Sequence, residues 1–401
     1  MPQDSTSLPP APIACPIYQP APYGPTGMPV YRTPCPESEI VAVSSFLESN
    51  CRISETVSFP RGTVTADGRL DLCKQDIGPG GCDKIIQSLR HNTQIRSLLL
   101  GTDGIGDVGA RSVAGLLEQH PRLEIAYLGC NGITAAGAEN LAQAVSENQV
   151  LSGLWLKRNP IGPEGAVALA QMLRTNTQLR VLDLVNTQIG FSGLEALTRA
   201  LIEQNATLER LHLGGNQFAP VEAELLAELL TKNRTLKVLQ IDVNLLGDAG
   251  VRLIAAALQH NSVLRHLDLA SNGMTAEGAT DLFDAVAKHP SLTHISVGFS
   301  ASTKVLGSQA NYVGDCGAKS AASLLRSNSQ LRSLDLTRTS IGNQGRQDLC
   351  EAIRENMTLV RLQIDGPVPE EFRRRLKENS NSNPPMSLVP DELRLIRSIY
   401  R

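Results

Sequence analysis

The chain has 401 residues, a formal net charge of −3 at pH 7 and an aromatic content of 3%. This near balance of charge argues against electrostatic binding to nucleic acid or to an anionic membrane surface. No run of about 18 apolar residues occurs, so we expect no membrane-spanning helix. The first ten residues lack the pattern of a secretory signal peptide. The eight cysteines show no CxxC spacing, which favours reduced thiols in a cytoplasmic protein.

Residues 1–36 hold eleven of the 23 prolines and show no apolar periodicity. This composition predicts a disordered, Pro-rich tail. Residues 9–12 and 22–25 each form a minimal PxxP, the kind of segment that SH3-type domains bind. A contact with an SH3-type domain is therefore one interpretation of the tail, and a plain linker or a secretion-competent tail is the other.

Residues 37–66 are predicted to form an N-terminal cap. Within them, residues 37–51 fit a short amphipathic helix whose apolar face contains Ile40, Val43 and Leu47, and residues 53–66 are expected to pair as an edge of a sheet. A solenoid needs such a cap because its bare end would expose apolar core.

A leucine pattern with a nearly fixed period fills most of the remaining chain. The first Leu of the L-x-L at Leu154 and Leu156 has counterparts separated by steps of 28 residues, with one step of 29 and one of 39. A period in this range predicts a solenoid of stacked repeats. The counterparts are Leu70, Leu98, Ala126, Leu182, Leu211, Leu239, Leu267, Ile295, Leu334 and Leu362.

Each repeat is predicted to form one strand and one helix. Leu154 and Leu156 alternate as in a strand, and Asn159 follows in a turn where its amide can bond to unpaired backbone groups. Residues 166–173 place apolar side chains at helical spacing, and Asn176 is expected to end the helix in the left-handed conformation. One such unit buries too little to offset its backbone entropy, so the repeats must stack.

The stacked region is expected over residues 67–366, as about ten 28-residue units. The 39-residue step places about eleven extra residues, 300–310, in a loop between a strand and the next helix, and this loop is interpreted either as part of the binding side or as a tolerated surface insertion. Residues 367–401 are predicted to form a C-terminal cap helix and a tail. Phe372 and Leu376 should turn inward, and the last twelve residues should form a short helix that either folds back on the solenoid or docks elsewhere.

The pattern LDLxxNxIGxxGAxxLAxxLxxNxxL, almost as it stands in residues 154–179 and 267–292, resembles the ribonuclease-inhibitor-like subfamily of leucine-rich repeats. The resemblance covers roughly residues 64–366. It implies an α/β leucine-rich repeat horseshoe with a parallel sheet on the concave face and helices on the convex face. The same family includes the sensor repeats of NOD-like receptors, the Ran GTPase-activating protein and some bacterial effectors, so it indicates the fold better than the function.

No motif for nucleophilic catalysis, zinc binding or phosphate binding occurs in a suitable context, so we predict no catalytic residues, no metal site and no cofactor. The candidate functional surface is instead the concave face, formed by the residues that flank each L-x-L. Leu99, Ile125, Tyr127, Trp155 and Val181 should form one exposed apolar patch there, which is typical of an interaction site. The alternative is that one of the chain's own ends covers this patch.

The predicted partner-binding surface also includes a polar half. There His266 and His294 should lie side by side, next to Asp268 and the 300–310 loop, as a polar contact zone. The full set of predicted partner-binding residues is Leu99, Ile125, Tyr127, Trp155, Lys157, Val181, Asp183, Arg210, His212, His266, Asp268 and His294.

The function expected from these features is a non-enzymatic scaffold that binds a protein partner on the concave face. The resemblance raises two alternatives. One is a Ran-type GTPase-activating protein, although the expected acidic C-terminal stretch is replaced by a basic one. The other is a secreted bacterial effector or ubiquitin-ligase adaptor acting in a host cytosol, suggested by GAVALAQML and similar helices, although residues 37–66 are short for an F-box.

Overall fold

The computed structural model describes residues 33–383 and 396–399. Both PxxP segments, and with them the predicted SH3-type contact, lie outside the described residues. The described chain forms a single 13-stranded sheet whose strands follow one another in sequence order. β1 and β2 form an antiparallel hairpin against β3, and β3 to β13 are parallel. The strands are β1 (Val57–Ser58), β2 (Thr63–Val64), β3 (Arg69–Asp71), β4 (Ser97–Leu99), β5 (Ile125–Tyr127), β6 (Gly153–Trp155), β7 (Val181–Asp183), β8 (Arg210–His212), β9 (Val238–Gln240), β10 (His266–Asp268), β11 (His294–Ser296), β12 (Ser333–Asp335) and β13 (Arg361–Gln363).

One helix follows each parallel strand, which gives the α/β solenoid that the repeat period predicts. Neighbouring strands pair at the predicted leucine positions, so that Leu154 lies between Ala126 and Leu182. The helices are α1 (Glu37–Ser49), α2 (Gly78–Leu89), α3 (Gly106–Leu117), α4 (Ala135–Ser146), α5 (Gly162–Thr175), α6 (Gly190–Glu203), α7 (Pro220–Lys232), α8 (Gly247–Leu258), α9 (Ala276–Val286), α10 (Gly314–Ser327), α11 (Asn343–Glu355) and α12 (Glu370–Ser382).

The helices pack closely because a small residue stands near the start of most of them. At Gly165 in α5, an added Cβ would lie 3.1 Å from the Cα of Ala135 and 3.1 Å from the Cβ of Ala138, both in the preceding helix α4. A side chain at this position would push the two helices apart. The glycine therefore sets the spacing between neighbouring repeats.

An asparagine in several strand-to-helix turns joins consecutive repeats, as predicted for Asn159, whereas Asp103, Thr187 and Thr339 stand at the same position in other repeats. The Nδ2 of Asn159 donates to the carbonyls of Leu156 (2.8 Å) and Leu128 (2.9 Å), and its Oδ1 accepts the N–H groups of Asn131 (2.8 Å) and Ile133 (3.1 Å). The side chain thus pairs backbone groups that the turn would otherwise leave unsatisfied inside the core.

A second asparagine joins the helix ends, but its conformation differs from the prediction. Asn176 follows α5 with φ −70° and ψ 129°, which is extended rather than left-handed. Its Oδ1 accepts the N–H groups of Gln178 and Leu179, and its Nδ2 donates to Val145 O at 2.7 Å. Asparagine suits this position because its amide side chain forms hydrogen bonds both within its own repeat and to the preceding repeat. These hydrogen bonds do not require a positive φ.

Each end of the repeat array is covered by a helix. On the N-terminal side α1 lies against α2 and buries Ile40, Val43 and Leu47 completely. On the C-terminal side α12 lies against α11 and buries Phe372, while Leu376 is half-buried. These are the inward-facing residues that the sequence predicts for the two helices.

The insertion at residues 300–310 folds back over the strand-to-helix turns of preceding repeats. Thr303 Oγ1 donates to Ser271 Oγ at 2.7 Å, and Ser308 Oγ lies 2.7 Å from Asn244 O and 2.6 Å from Ser271 O. Leu306 lies against Gly215, where an added Cβ would come within 2.7 Å of the leucine side chain. The insertion is therefore packed against the solenoid.

Candidate functional site

The predicted partner-binding residues lie on the concave face, along β4 to β11. The strand register fixes their neighbours, because each strand lies about 4.8 Å from the next. Tyr127 pairs with Leu99 on one side and with Trp155 on the other, and His266 pairs with His294. The structure thus brings together both groups that the sequence predicts, one apolar and one polar.

The apolar group forms a cluster of its own, separate from the core between sheet and helices. Leu99, Ile125, Trp155 and Val181 pack together in it, with Tyr127 against them. Two further residues complete the cluster: Cys73, which follows β3, and Ile396 from the far end of the chain. We call this group the concave apolar cluster.

The predicted exposure of this cluster is wrong. Trp155 is 1% exposed, and Leu99, Ile125 and Val181 are fully buried. The physical reason is that residues 396–399 fold back on the concave face, and Ile396, 8% exposed, belongs to the same cluster. A large apolar surface on the solenoid is removed from water by the chain itself.

Residues 396–399, which we call the C-terminal segment, are held by the first parallel strand. Arg69 Nη1 donates to the carbonyl of Arg397 at 2.7 Å. The carboxylate of Asp71 accepts the hydroxyl of Ser398 at 3.1 Å through one oxygen and the N–H of Ile399 at 2.6 Å through the other. These contacts use the backbone of residues 397 and 399, so the helix predicted for the end of the chain does not form over the described residues.

Two glycines on the concave face make room for the large side chains of the cluster. A Cβ added to Gly153 would lie 2.3 Å from the indole of Trp155, and one added to Gly101 would lie 2.5 Å from the ring of Tyr127. The aromatic rings therefore lie against the backbone at these two glycines. Lys157 extends over the Tyr127 ring, with its Nζ 5.4 Å from the ring centroid.

At the middle of the face an acid and an imidazole form a buried pair. Asp183 Oδ2 lies 3.5 Å from His212 Nδ1, and both side chains are buried. Burial alone would raise the pKa of Asp183, but the hydrogen bond and charge of His212, with the charge of Lys157, hold that pKa below its usual value. Both residues were predicted to face a partner, and their burial corrects that prediction. The half-buried Arg210 lies on the same strand as His212.

The polar half of the face is more accessible. The imidazoles of His266 and His294 stack with centroids 5.5 Å apart and an interplanar angle of 17°. Burial lowers the pKa of both rings, and in His266, where the charge of His294 also contributes, it falls to about 4. Both rings are therefore neutral at pH 7.

Carboxylates gather beside these rings. Asp268 and Asp335 line the same cavity of about 260 Å³, together with His266, His294, Arg361 and Gln363. The nearby Asp242 has its pKa raised to about 8 by burial and by the charge of Asp268, whose own pKa burial also raises. Crowded acidic groups in this half would thus gain from a positive charge brought by a ligand.

Among the described residues no group of three or more His, Cys, Asp or Glu side chains is placed to hold a metal ion. Within the same residues no helix is long and apolar enough to span a bilayer.

Four residues of this surface were not selected from the sequence. Arg69, Asp71 and Cys73 stand at outward-facing positions in or just after the first parallel strand, whereas Ile396 belongs to no repeat. The sequence did contain one signal for Asp71, because the residue that pairs with it on the next parallel strand is the apolar Leu99. Leu99 offers no hydrogen-bond donor from its side chain, so the carboxylate of Asp71 needs a donor from another part of the chain.

A comparison with models of known families agrees with this architecture. A family model described as Leucine Rich repeat matches residues 147–170, 175–197, 204–227, 260–283 and 327–350. No curated protein matches the chain. Among solved structures, leiomodin-1 actin-binding site 2 is similar at 15% identity and a TM-score of 0.33, over 48% of this chain and 91% of that one. The tropomodulin C-terminal domain of Caenorhabditis elegans is similar at 17% identity and a TM-score of 0.33, over 47% and 94%.

The 28-residue period, the parallel sheet with one helix after each strand and the matched repeats lead to one conclusion. The described part of the chain is a leucine-rich repeat solenoid.

Proposed function

We propose that this chain is a non-enzymatic scaffold that binds a protein partner on the concave surface of its repeats. The observation that supports the proposal best is the open polar half of the face. There the outward side chains of β10 to β13 are half-buried or exposed and line a cavity, while their strands are fixed by the sheet. A rigid array of outward side chains suits recognition of another protein, because little of it must be ordered on binding.

The chemistry of the cavity favours a partner with a basic side chain. Asp268 and Asp335 lie in the cavity, Asp242 lies nearby, and the neutral imidazoles of His266 and His294 contribute hydrogen-bonding groups without charge. An incoming Lys or Arg would offset the repulsion among the carboxylates and satisfy their oxygens.

The period of 28 residues and the asparagine contacts support placing the repeats in the ribonuclease-inhibitor-like subfamily. We place the protein in the cytoplasm, where its thiols stay reduced.

A Ran-type GTPase-activating role remains the competing proposal, and it has a direct test. The purified chain should leave the rate of GTP hydrolysis by a Ran-type GTPase unchanged.

Peptide selection against the full chain tests the scaffold proposal. A random peptide library displayed on phage should yield binders enriched in Lys or Arg. The double substitution Asp268→Asn and Asp335→Asn should weaken them by at least about 10-fold, as expected for loss of charge-assisted contacts. Glu224→Gln, an exposed carboxylate on α7, is the matched control on the convex side. Binders that tolerate the concave substitutions and are lost with Glu224→Gln would contradict the proposal.

A further inference from the structure

The C-terminal segment occupies the concave face in the manner of a bound peptide. Its contacts combine one apolar anchor, Ile396, with hydrogen bonds to the backbone of residues 397 and 399 and to the hydroxyl of Ser398. Backbone contacts supply affinity, and the pocket for a side chain supplies selectivity.

The acceptor at the centre of this contact is unusual among the repeats. At the equivalent position, Asp183 pairs with His212 of the next strand, and Asp268 forms a hydrogen bond with Ser296 of the next strand. For Asp71 the residue in the same place on the next strand is Leu99, which cannot donate. The second oxygen of Asp71 is instead paired with the N–H of Ile399, while its first oxygen accepts the N–H of Cys73 at 3.2 Å as well as the Ser398 hydroxyl.

The apolar side of the contact is equally specific. Ile396 completes a cluster that includes the indole of Trp155, and Gly153, which has no side chain, leaves space for that indole. Ile399, by contrast, is 51% exposed and Arg397 is exposed. The face therefore selects one aliphatic side chain at the first position of the segment.

We propose that the N-terminal half of the concave face is a peptide-docking site whose resident ligand is the chain's own C-terminal segment, bound in cis. The segments that can replace it share its chemistry, with an aliphatic residue followed two positions later by a Ser and then by a residue that keeps its backbone N–H. The inference rests on the proposed function, since it assigns protein recognition to the same concave face.

Docking of this kind is expected to be reversible. Among the described residues, one buried aliphatic side chain and a few hydrogen bonds oppose the conformational entropy of ordering the segment, and these contributions are of similar size. Covalent attachment nevertheless holds the segment at a high effective concentration, so a competing peptide in solution must overcome it.

Two spectroscopic and chemical reporters already lie beneath the segment. Trp155 is the single tryptophan of the chain, and Cys73 is a buried thiol in the same cluster. In the full-length protein, Ile396→Glu should release the segment, shift the Trp155 emission to the red and make Cys73 reactive to a maleimide, as read by peptide mass spectrometry. Ile399→Glu is the matched control, because its side chain is exposed and its backbone N–H is kept.

A free peptide added to the protein tests whether the concave face binds the segment as a ligand or only buries it as part of the fold. The fluorescent peptide DELRLIRSIYR, taken from residues 391–401, should bind the Ile396→Glu protein and reverse the red shift of Trp155. It should bind the wild-type protein about 100-fold more weakly, because the tethered segment competes. The same peptide carrying Glu in place of the isoleucine at residue 396 should not bind.

Three results would overturn the proposal. Unchanged Trp155 emission and Cys73 labelling in Ile396→Glu would show that the segment does not cover the cluster. Failure of the peptide to bind the opened protein would show that the face is not a docking site. A dimeric wild type that becomes monomeric with Ile396→Glu, on size-exclusion chromatography with light scattering, would mean that a second copy supplies the segment. None of these outcomes involves Asp268 or Asp335, so a failure of the docking proposal can be distinguished from a failure of the scaffold proposal.

Discussion

One strand-to-helix turn contains an aspartic acid in place of an asparagine. This residue is Asp103, which stands where the next two repeats have Asn131 and Asn159. Its Oδ1 accepts the N–H groups of Gln75 (2.9 Å) and Ile77 (3.4 Å), as an asparagine oxygen would. Its Oδ2 is buried without a hydrogen-bond partner among the described residues, and burial raises the pKa of Asp103 well above its usual value.

Asp103→Asn should therefore stabilise the protein at neutral pH. Burial raises the pKa of Asp103 in the folded state above its pKa in the unfolded chain, so stability falls as pH rises above about 4. An asparagine does not titrate, and its Nδ2 can donate to turn carbonyls as Asn131 does to Leu128. We expect a gain on the order of 1–3 kcal/mol in the free energy of unfolding at pH 8 and a smaller gain at pH 4, measured by urea denaturation.

Glu118→Gln serves as the control for Asp103→Asn, since Glu118 is an exposed carboxylate after α3 and its removal should change stability little. A loss of stability in Asp103→Asn at both pH values would contradict the argument, because it would show that the carboxyl form makes a contact that the amide cannot replace.

At the residue scale, the sequence predicts position much better than burial. The 28-residue period fixes the strand register, so the neighbours of Trp155 and the pairing of His266 with His294 follow from counting. The burial of Trp155 depends on Ile396, which belongs to no repeat and reaches the face from the far end of the chain. No local pattern encodes such a contact, since it depends on the route of the chain in space.

At the scale of elements, the two end helices take the place of missing repeats. Asn92, at the end of α2, donates through Nδ2 to Leu47 O at 2.8 Å, as Asn176 donates to Val145 O of the preceding repeat. The helix α1 thus presents the same carbonyl that a repeat helix would present. Its apolar face, with Leu47 fully buried, completes the first layer of the core.

Leu47→Ala should test the role of α1 as a cap. Removing a fully buried leucine side chain is expected to cost about 2–5 kcal/mol in the free energy of unfolding, since the helix cannot close the cavity without losing its contact with α2. Thermal and urea unfolding measure the change. Val41→Ala on the same helix is the matched control, because Val41 is 47% exposed and should tolerate truncation. Equal effects of the two substitutions would argue against a capping role for α1.

The same periodic reasoning that predicts the repeat helices misjudges the end of the chain. Leu393, Ile396 and Ile399 stand at helical spacing, and this pattern favours a short helix. Over residues 396–399 tertiary contacts override it, because Arg69 and Asp71 bond to backbone groups. Local propensity is a weak prior for so short a segment.

At the scale of the whole molecule, the concave face is divided into two halves of different chemistry. The half formed by β3 to β7 is apolar and holds the chain's own segment, whereas β10 to β13 present acids, imidazoles and Arg361 to an open cavity. A partner that contacts both halves would have to displace the segment while it binds the acidic cavity. The division therefore gives one continuous sheet two surfaces of different chemistry.

The two ends of the solenoid are also unequal in their packing. The N-terminal helix α1 buries Ile40, Val43 and Leu47 completely, whereas α12 buries Phe372 and the polar Asn379. In a repeat array each repeat is stabilised mainly by contacts with its nearest neighbours, so the end with less apolar burial should unfold first.

Phe372→Ala should make this inequality measurable by hydrogen exchange. Loss of the buried ring removes most of the apolar contact of α12 and leaves Asn379, which donates to the carbonyls of Asn356 and Leu359, to hold the helix. We expect amide protection to fall by at least about 10-fold in β13, α12 and the end of α11, and to stay unchanged from α1 to α5, because opening at one end need not propagate. Met357→Ala, at a side chain that is 61% exposed, should leave exchange as in the wild type. A uniform loss of protection along the whole chain would instead mean that the solenoid opens as one cooperative unit, and the C-terminal end would then have no separate stability.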